Sequence, residues 1–411
     1  MKSIDLLKGV YFTVFFRFLS FLMVFGLNYL IAFFYEVDDA GKIFWGISTA
    51  AILVTINNFG CGNLVVRTVS VLSQTKDQLR TEMSKIFFAP YVGLILVFTI
   101  SLFLYYSKSD PFYFPFFVYV PFMALITMFS YVLQGSGHRF LALAFLTMFV
   151  PLVSSFIVFF DSSYFPLLRL LSVVFIFLCI LVALHKYEFS WMVILIPRFD
   201  VKIFLSSVFL LFSSFSAVFI QNGGQFFLGL YGSVEEVAFF NLAMKLSMIC
   251  SFVLIGANFY LSPKFAVLYK KGNIGKLCSF YRLGMFLSFL PSLVFCVILY
   301  HFSSDILKLF GDNYSGAIPL LEVLIISQLV NSLTGSSSQL ANMIGGEKHL
   351  MLIMVASLFF CVVTCFAFYN MYGLVGIAWS ITLTIIVQNL SVFILCNKIL
   401  GVNVLTFKGD Q

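Results

Sequence analysis

The chain has 411 residues, of which 61% are hydrophobic and only 10% charged, with a mean hydropathy of +1.05 and a formal net charge of +7. Soluble globular domains carry about 45–50% apolar and about 25% charged residues, so this balance excludes a soluble enzyme or binding module and describes an integral membrane protein. The excess of positive charge therefore reads as loop placement rather than as a nucleic-acid surface.

The apolar runs are long enough to cross a hydrocarbon core of roughly 30 Å as helices, not as barrel strands. Twelve spans are predicted. The first six are Val10–Phe34, Phe44–Leu64, Ile86–Tyr106, Tyr113–Leu133, Phe140–Phe160 and Phe165–Leu184. The second six are Val201–Leu230, Val237–Leu261, Phe280–Phe302, Ile318–Ala341, Leu350–Asn370 and Leu374–Cys396. Lys2 and Lys8 precede the first run without a small-residue cleavage site, which reads as a retained signal anchor. Between the sixth and seventh spans, HKYEFSWMVILIPRFD is too short for a folded domain and reads as a linker, its Trp191–Ile196 run at the inner interface.

The two halves echo each other. GLNYLIAFFYEVDDAGKIFWGISTAAILVTINNFGCGNLVVR aligns with the stretch from Gly223 to Lys264, matching Gly26 with Gly223, Asn28 with Gln225, Val37-Asp38-Asp39 with Val234-Glu235-Glu236 and Arg67 with Lys264. An even number of spans per half makes the repeats parallel, related by an axis along the membrane normal. The expected domains are two six-helix lobes, 1–200 and 201–411.

Orientation follows from lysine and arginine, which concentrate in the segments on the N-terminal side of the membrane, whereas the opposite loops hold Lys42, Lys108 and Lys308. Both termini are expected to be cytoplasmic. The opposite turns are acidic, with Glu36, Asp38, Asp39, Asp110, Asp161, Glu235, Glu236, Asp305 and Asp312.

Four cations, Arg17, Arg169, Lys245 and Arg282, and one acid, Glu322, fall in or near the spans. A cation at the bilayer centre costs roughly 2.5–3.5 kcal/mol on insertion scales, so such residues face a wet interior or snorkel to headgroups. The excess of bases points to an anionic cargo. Arg17 shares a helical face with Asn28, and Lys245 lies one turn beyond Asn241. Arg169 reads as structural. Arg282 serves cavity or lipid phosphate equally well.

Polar residues gather on the seventh helix, where Gln221 and Gln225 flank Gly223-Gly224 and invite a bend. On the tenth, Gln328, Asn331, Gly335, Gln339 and Asn342 make a stripe that serves either helix packing or a ligand. Glu322 is the acid available for proton coupling or cation coordination, or for partnering a nearby base.

No catalytic signature, cofactor motif or metal-ligand spacing is present. The eight cysteines lie in or beside apolar runs, or in Cys278's case in an expected cytoplasmic loop, and read as small hydrophobes.

The segments EVDDAGKIFW, NFGCGNLVVR, GLYGSVEEVAFFNLAMKL, LSPKFAVLYKKGN, ILKLFGDNYSGAIPLLEVL and YGLVGIAWS, in this order, resemble the Wzx-type O-antigen flippases. These form a branch of the multidrug/oligosaccharidyl-lipid/polysaccharide (MOP) exporter superfamily. The resemblance implies a V-shaped bundle of twelve helices with a central cavity. The implied cargo is an undecaprenyl-diphosphate-linked oligosaccharide, moved across the bacterial inner membrane without a cofactor. An O-antigen polymerase and a chain-length regulator are the protein partners it suggests. Related lipid II flippases use arginines in the first lobe's cavity, and Arg17 occupies a similar place; they also carry two further helices, which this chain lacks.

Under this resemblance Arg17, Lys245 and Arg282 are the residues for the diphosphate, and Asn28, Gln221, Gln225, Asn241, Gln328 and Asn331 those for the sugar path. Arginine suits phosphate oxygens through its fork of donors, and lysine serves as a point charge. Two rivals are a cation-coupled multidrug exporter of the same superfamily, in which Glu322 would matter most, and a membrane-embedded transferase, for which no catalytic constellation is visible.

Overall fold

A computed structural model describes residues 3–72, 76–186 and 197–406; the Trp191–Ile196 run lies outside them. Every regular element among the described residues is helical. Ten helices are long and apolar enough to cross a membrane, and the apolar part of the first helix, Phe18–Phe34, is shorter. The chain divides into two compact units, Met1–Asn222 and Gly223–Gln411.

The first unit contains α1 (Ser3–Phe34), α2 (Val37–Asn58), α3 (Gly62–Leu72), α4 (Lys76–Ile86) and α5 (Phe88–Lys108). It continues with α6 (Phe114–Val118), α7 (Val120–Gly135), α8 (Arg139–Leu143), α9 (Phe149–Ile157) and α10 (Phe165–Lys186), and takes in the first part of α11 (Val201–Tyr231). Asp38 and Asp39 stand in the first turn of α2, where carboxylates favour the positive end of the helix dipole. That is one physical reason for an acidic turn there. The ring of Phe116 lies where a Cβ on Gly46 would be, 2.6 Å away, so the glycine admits the aromatic side chain against α2. Trp45 and Tyr113 meet edge to face at 4.6 Å beside it.

The expected second span runs to Leu64, but α2 stops at Asn58. Phe59 (φ 52°) and Gly60 (φ 66°) both adopt the left-handed conformation, and the chain restarts as α3. Backbone freed from a helix inside a membrane must be buried in protein or face water. Here α11 covers it: a Cβ on Gly60 would fall 2.5 Å from the carbonyl oxygen of Leu210, Phe204 stacks on Phe59 at 5.7 Å, and the Cys61 thiol donates to Ser207 Oγ at 3.4 Å. These contacts explain why the first residues of α11 belong with the first unit.

The second unit contains the rest of α11, then α12 (Val234–Ser247), α13 (Phe252–Lys270), α14 (Ile274–His301), α15 (Ser303–Lys308), α16 (Ile318–Thr334), α17 (Ser337–Met343) and α18 (Glu347–Leu400). A capping box starts α12, with Glu236 N donating to Ser233 Oγ at 3.2 Å and Ser233 N donating to Glu236 Oε2 at 3.0 Å. The echoed acidic triplets of the two halves thus both sit at helix N-termini. A 3₁₀ turn, Met248–Ser251, separates α12 from α13.

At 1.5 Å per residue the 54 residues of α18 would reach about 80 Å if straight, more than twice a bilayer core. It is instead two helical segments joined at Gly373 (φ 59°, ψ −139°), folded so tightly that a Cβ on Gly376 would strike the Phe368 carbonyl.

Three further sequence expectations give way here. α11 passes through Gly223-Gly224 as one helix, and Gly224 serves packing instead, because the Phe240 ring lies 2.5 Å from where its Cβ would be. The polar stripe of the tenth span is interrupted, since α16 ends at Thr334 and Gly335 (φ 59°) turns the chain into α17. Tyr281 of α14 closes that junction, its hydroxyl donating to the Thr334 carbonyl at 2.5 Å and lying 2.8 Å from Ser337 Oγ. Cys278, expected in a loop, is fully buried in α14 within the same apolar cluster as Phe265, Leu340 and Val392. All eight cysteines are free thiols, seven of them buried.

Replacing Gly60 by valine is expected to destabilise the protein by about 2 kcal/mol or more, because the side chain meets backbone at a positive φ. Gly137→Ala, also at positive φ but with nothing within 4 Å, should cost only about 1 kcal/mol. Tyr281→Phe should cost about 1 kcal/mol by removing one of the two hydrogen bonds that the buried Thr334 carbonyl accepts, the other coming from Ser337 Oγ. Thermal unfolding followed by size-exclusion chromatography reads all three.

Candidate functional site

Candidate polar residues of the first unit gather on α1, α2, α7 and α10. Arg17 lies on α1, its side chain outside the described residues. Asn28, one face along, is buried and donates to its own helix at Val24 O, 2.7 Å away. Ser20 Oγ meets Thr147 Oγ1 at 2.8 Å, tying α1 to the π-helical turn Ala144–Met148. Such one-turn π segments are frequent at functional sites, and no pattern in the sequence announced this one.

Near the break, Asn58 Nδ2 donates to Thr127 Oγ1 at 2.5 Å. Asn57, buried, lines a cleft of about 130 Å³ with Phe87, Tyr91 and Pro121, and its Oδ1 has no hydrogen-bond partner among the described residues. Sequence reasoning passed over both asparagines. The run NNFGCGN, dense in turn-forming residues, was the available signal.

Arg169 is buried at 6% exposure. Its Nη1 donates to Ser154 Oγ at 3.2 Å and its guanidinium lies 5.7 Å from the Tyr119 ring centroid and 5.9 Å from that of Phe165. Among the described residues no carboxylate pairs with it, and its Nε has no acceptor. The aromatic rings supply part of the compensation through cation–π attraction.

On the acidic side of the same unit, Tyr35, Glu36, Asp39, Asp161 and Ser162 line a cleft of about 580 Å³ with Phe159 and Phe160. Ser162 Oγ donates to Asp39 Oδ2 at 2.5 Å, and Tyr35 OH to the Phe160 carbonyl at 3.0 Å. Burial first, then Asp161 and Asp39, push the Tyr35 phenol up to about 12, so it remains a donor. Hydrogen bonds from Ser163 hold the Asp161 carboxyl below its ordinary value.

Two predicted residues of the second unit meet directly. Gln225 Nε2 of α11 donates to Asn241 Oδ1 of α12 at 2.7 Å, both side chains buried, 0% and 2% exposed. One turn along α12, Lys245 is half-buried, inside a candidate span, and makes no ion pair or side-chain hydrogen bond among the described residues. Glu322 on α16 is likewise half-buried without a partner among them. The two are not paired with each other.

Gln221 is exposed on α11. Gln328 is buried, its Nε2 3.5 Å from Ser327 Oγ, and Asn331 is half-buried. Arg282 is occupied: Nη1 donates to the Leu405 carbonyl at 3.0 Å and Nη2 to Ser279 Oγ at 3.3 Å, holding the C-terminal segment against α14. Among the described residues no group of three or more metal-ligating side chains occurs.

The MatE family model matches residues 210–367. No curated protein matches the sequence. Among solved structures, an inward-facing multidrug resistance MATE family transporter of the MOP superfamily superposes with a TM-score of 0.73 at 15% identity, over 93% of this chain and 94% of that one. Lipid II flippase MurJ in an inward closed conformation gives 0.72 at 13% identity, over 92% and 86%. A MOP superfamily transporter from Pyrococcus furiosus, described as having a binding pocket of reverse polarity, gives 0.61 at 14% identity, over 93% and 96%. The chain has the fold of the MOP superfamily transporters.

Proposed function

We propose that this protein is a flippase that moves undecaprenyl-diphosphate-linked O-antigen repeat units from the cytoplasmic to the periplasmic leaflet of the bacterial inner membrane, by alternating access. The observation that carries the reading is Lys245, a half-buried cation within a span, one turn from the buried Gln225–Asn241 amide pair and without a protein anion among the described residues. A diphosphate supplies the missing counter-charge, and amides match sugar hydroxyls. Arg17 on α1 and Arg282 on α14 are the other two cations assigned to the diphosphate, Arg282 exchanging its contacts with the Leu405 carbonyl and Ser279 hydroxyl for phosphate oxygens.

In this reading α1 crosses the membrane and α18 crosses twice about Gly373, so the ten apolar helices become twelve crossings with both termini cytoplasmic. Each lobe carries six. The transport step makes and breaks no covalent bond.

Glu322 supports a second reading, an ion-coupled multidrug exporter. Its half-buried carboxylate lacks a partner among the described residues, and multidrug transporters share the fold. A protonatable acid in a span is what cation exchange requires.

The two readings separate in a deletion strain. For a flippase, surface polysaccharide disappears and lipid-linked single units accumulate on the cytoplasmic side, and the plasmid-borne chain reverses both. Lys245→Ala should then lower complementation about 10- to 100-fold at unchanged protein level, the range expected for a lost charged hydrogen bond. Lys245→Arg should retain part of it, and Glu322→Gln should complement. Unchanged polysaccharide with raised sensitivity to cationic drugs, abolished rescue by Glu322→Gln and full activity of Lys245→Ala would establish the exporter instead.

A further inference from the structure

One end of the second unit is built differently from its counterpart in the first. The segment from Lys264 to Arg282, which ends α13, turns at Gly272 and opens α14, contains Lys264, Lys270, Lys271, Lys276 and Arg282 and no acid. Lys270, Lys271 and Lys276 are exposed and form no ion pair among the described residues. The side chain of Asn273 caps α14 by accepting from Lys276 N at 3.2 Å, so the turn that presents the three lysines is fixed.

The apolar cluster beneath this turn joins α13 and α14 to both ends of α18. Lys348 and Lys398, exposed at those ends, therefore stand on the same end of the unit. Glu347 is there too, its side chain outside the described residues. Next to the lysines, Val267 and Tyr269 are exposed at 52% and 37%. An apolar residue and a tyrosine beside a basic turn suit the boundary between headgroups and acyl chains.

The first repeat provides an internal control. Its corresponding segment, Arg67 to Lys85, contains Asp77 and Glu82. Lys85 pairs with Glu82 at 2.6 Å and faces Asp200 at 3.9 Å. There the protein supplies its own anions. At the α13–α14 turn it supplies none in the same stretch, although the helices at both places end on the side rich in lysine and arginine.

We propose that the α13–α14 turn is a binding site for anionic phospholipid headgroups, with Lys270, Lys271 and Lys276 on the lipid phosphate and Val267 and Tyr269 seated in the interface. Clusters of four to eight basic residues next to a membrane-spanning helix recognise anionic lipid through this electrostatic attraction, which is short-ranged and screened by salt. Lys270, Lys271 and Lys276 are not among the residues assigned to the cargo, so the proposal holds whichever cargo the protein carries.

Native mass spectrometry of the purified full chain, titrated with phosphatidylglycerol or phosphatidylcholine of the same acyl chains, tests it. The expected result is a preference for phosphatidylglycerol of about tenfold. It should shrink several-fold in Lys270→Gln/Lys271→Gln/Lys276→Gln, while Lys42→Gln/Lys108→Gln/Lys308→Gln, equal in net charge, retains it. Both variants must elute and unfold as the parent does; if the first triple variant fails this, Lys270→Gln/Lys271→Gln alone should lose part of the preference. Equal binding of the two lipids by the parent, or an unchanged preference in the α13–α14 variants, overturns the proposal. Binding of an acidic protein at these lysines without lipid preference overturns it as well.

Discussion

The constraint on which this structure depends is that a peptide group inside hydrocarbon needs a hydrogen-bond partner. Helices satisfy it automatically, and every regular element among the described residues is helical. The informative places are therefore those where a helix stops within an apolar stretch: Phe59–Gly60, the turn Met248–Ser251, and Gly335. The first and the last have a local cover. α11 lies against the first, and Tyr281 hydrogen-bonds the last. Helix breaks thereby collect asparagine, serine and glycine, and buried polar chemistry collects around them.

Positioning of the candidate residues follows from these breaks and from glycine. Gly224 lets Phe240 come close to α11, which brings α12 near enough for Gln225 to reach Asn241. Lys245 then projects from the next turn with no ion pair among the described residues. Arg169 represents another solution for a buried cation, in which aromatic faces and hydroxyls stand in for a carboxylate. The difference in surroundings separates Arg169, held by the fold, from Lys245, the cation proposed for the cargo.

Much of this was legible in the sequence. Helix existence and approximate limits came from long apolar runs, because in a membrane hydropathy alone selects the helix. The acidic triplets at Val37 and Val234 announced two helix starts, since capping is a local interaction. The breaks were not legible, because whether NNFGCGN or TGSSS ends a helix depends on which neighbour covers it. Nor was the difference between Asn241, matched with an amide, and Asn57, whose Oδ1 lacks a partner, because spacing along one helix carries no information about the facing one. Cys278 was misplaced for a related reason: α14 begins at Ile274, several residues before its strongly apolar run, so the residue lies inside a helix and not before it.

The distribution of sulfur has a practical consequence. Seven of the eight thiols are buried and Cys179 alone is intermediate, so native cysteines offer little surface to water-soluble alkylating reagents, which are attacked by the thiolate. Single cysteines introduced along α11 or α12 can then be labelled against a quiet background, without first stripping the chain of residues that fill its interior. Solvent access along each helix face becomes measurable in intact cells, one position at a time.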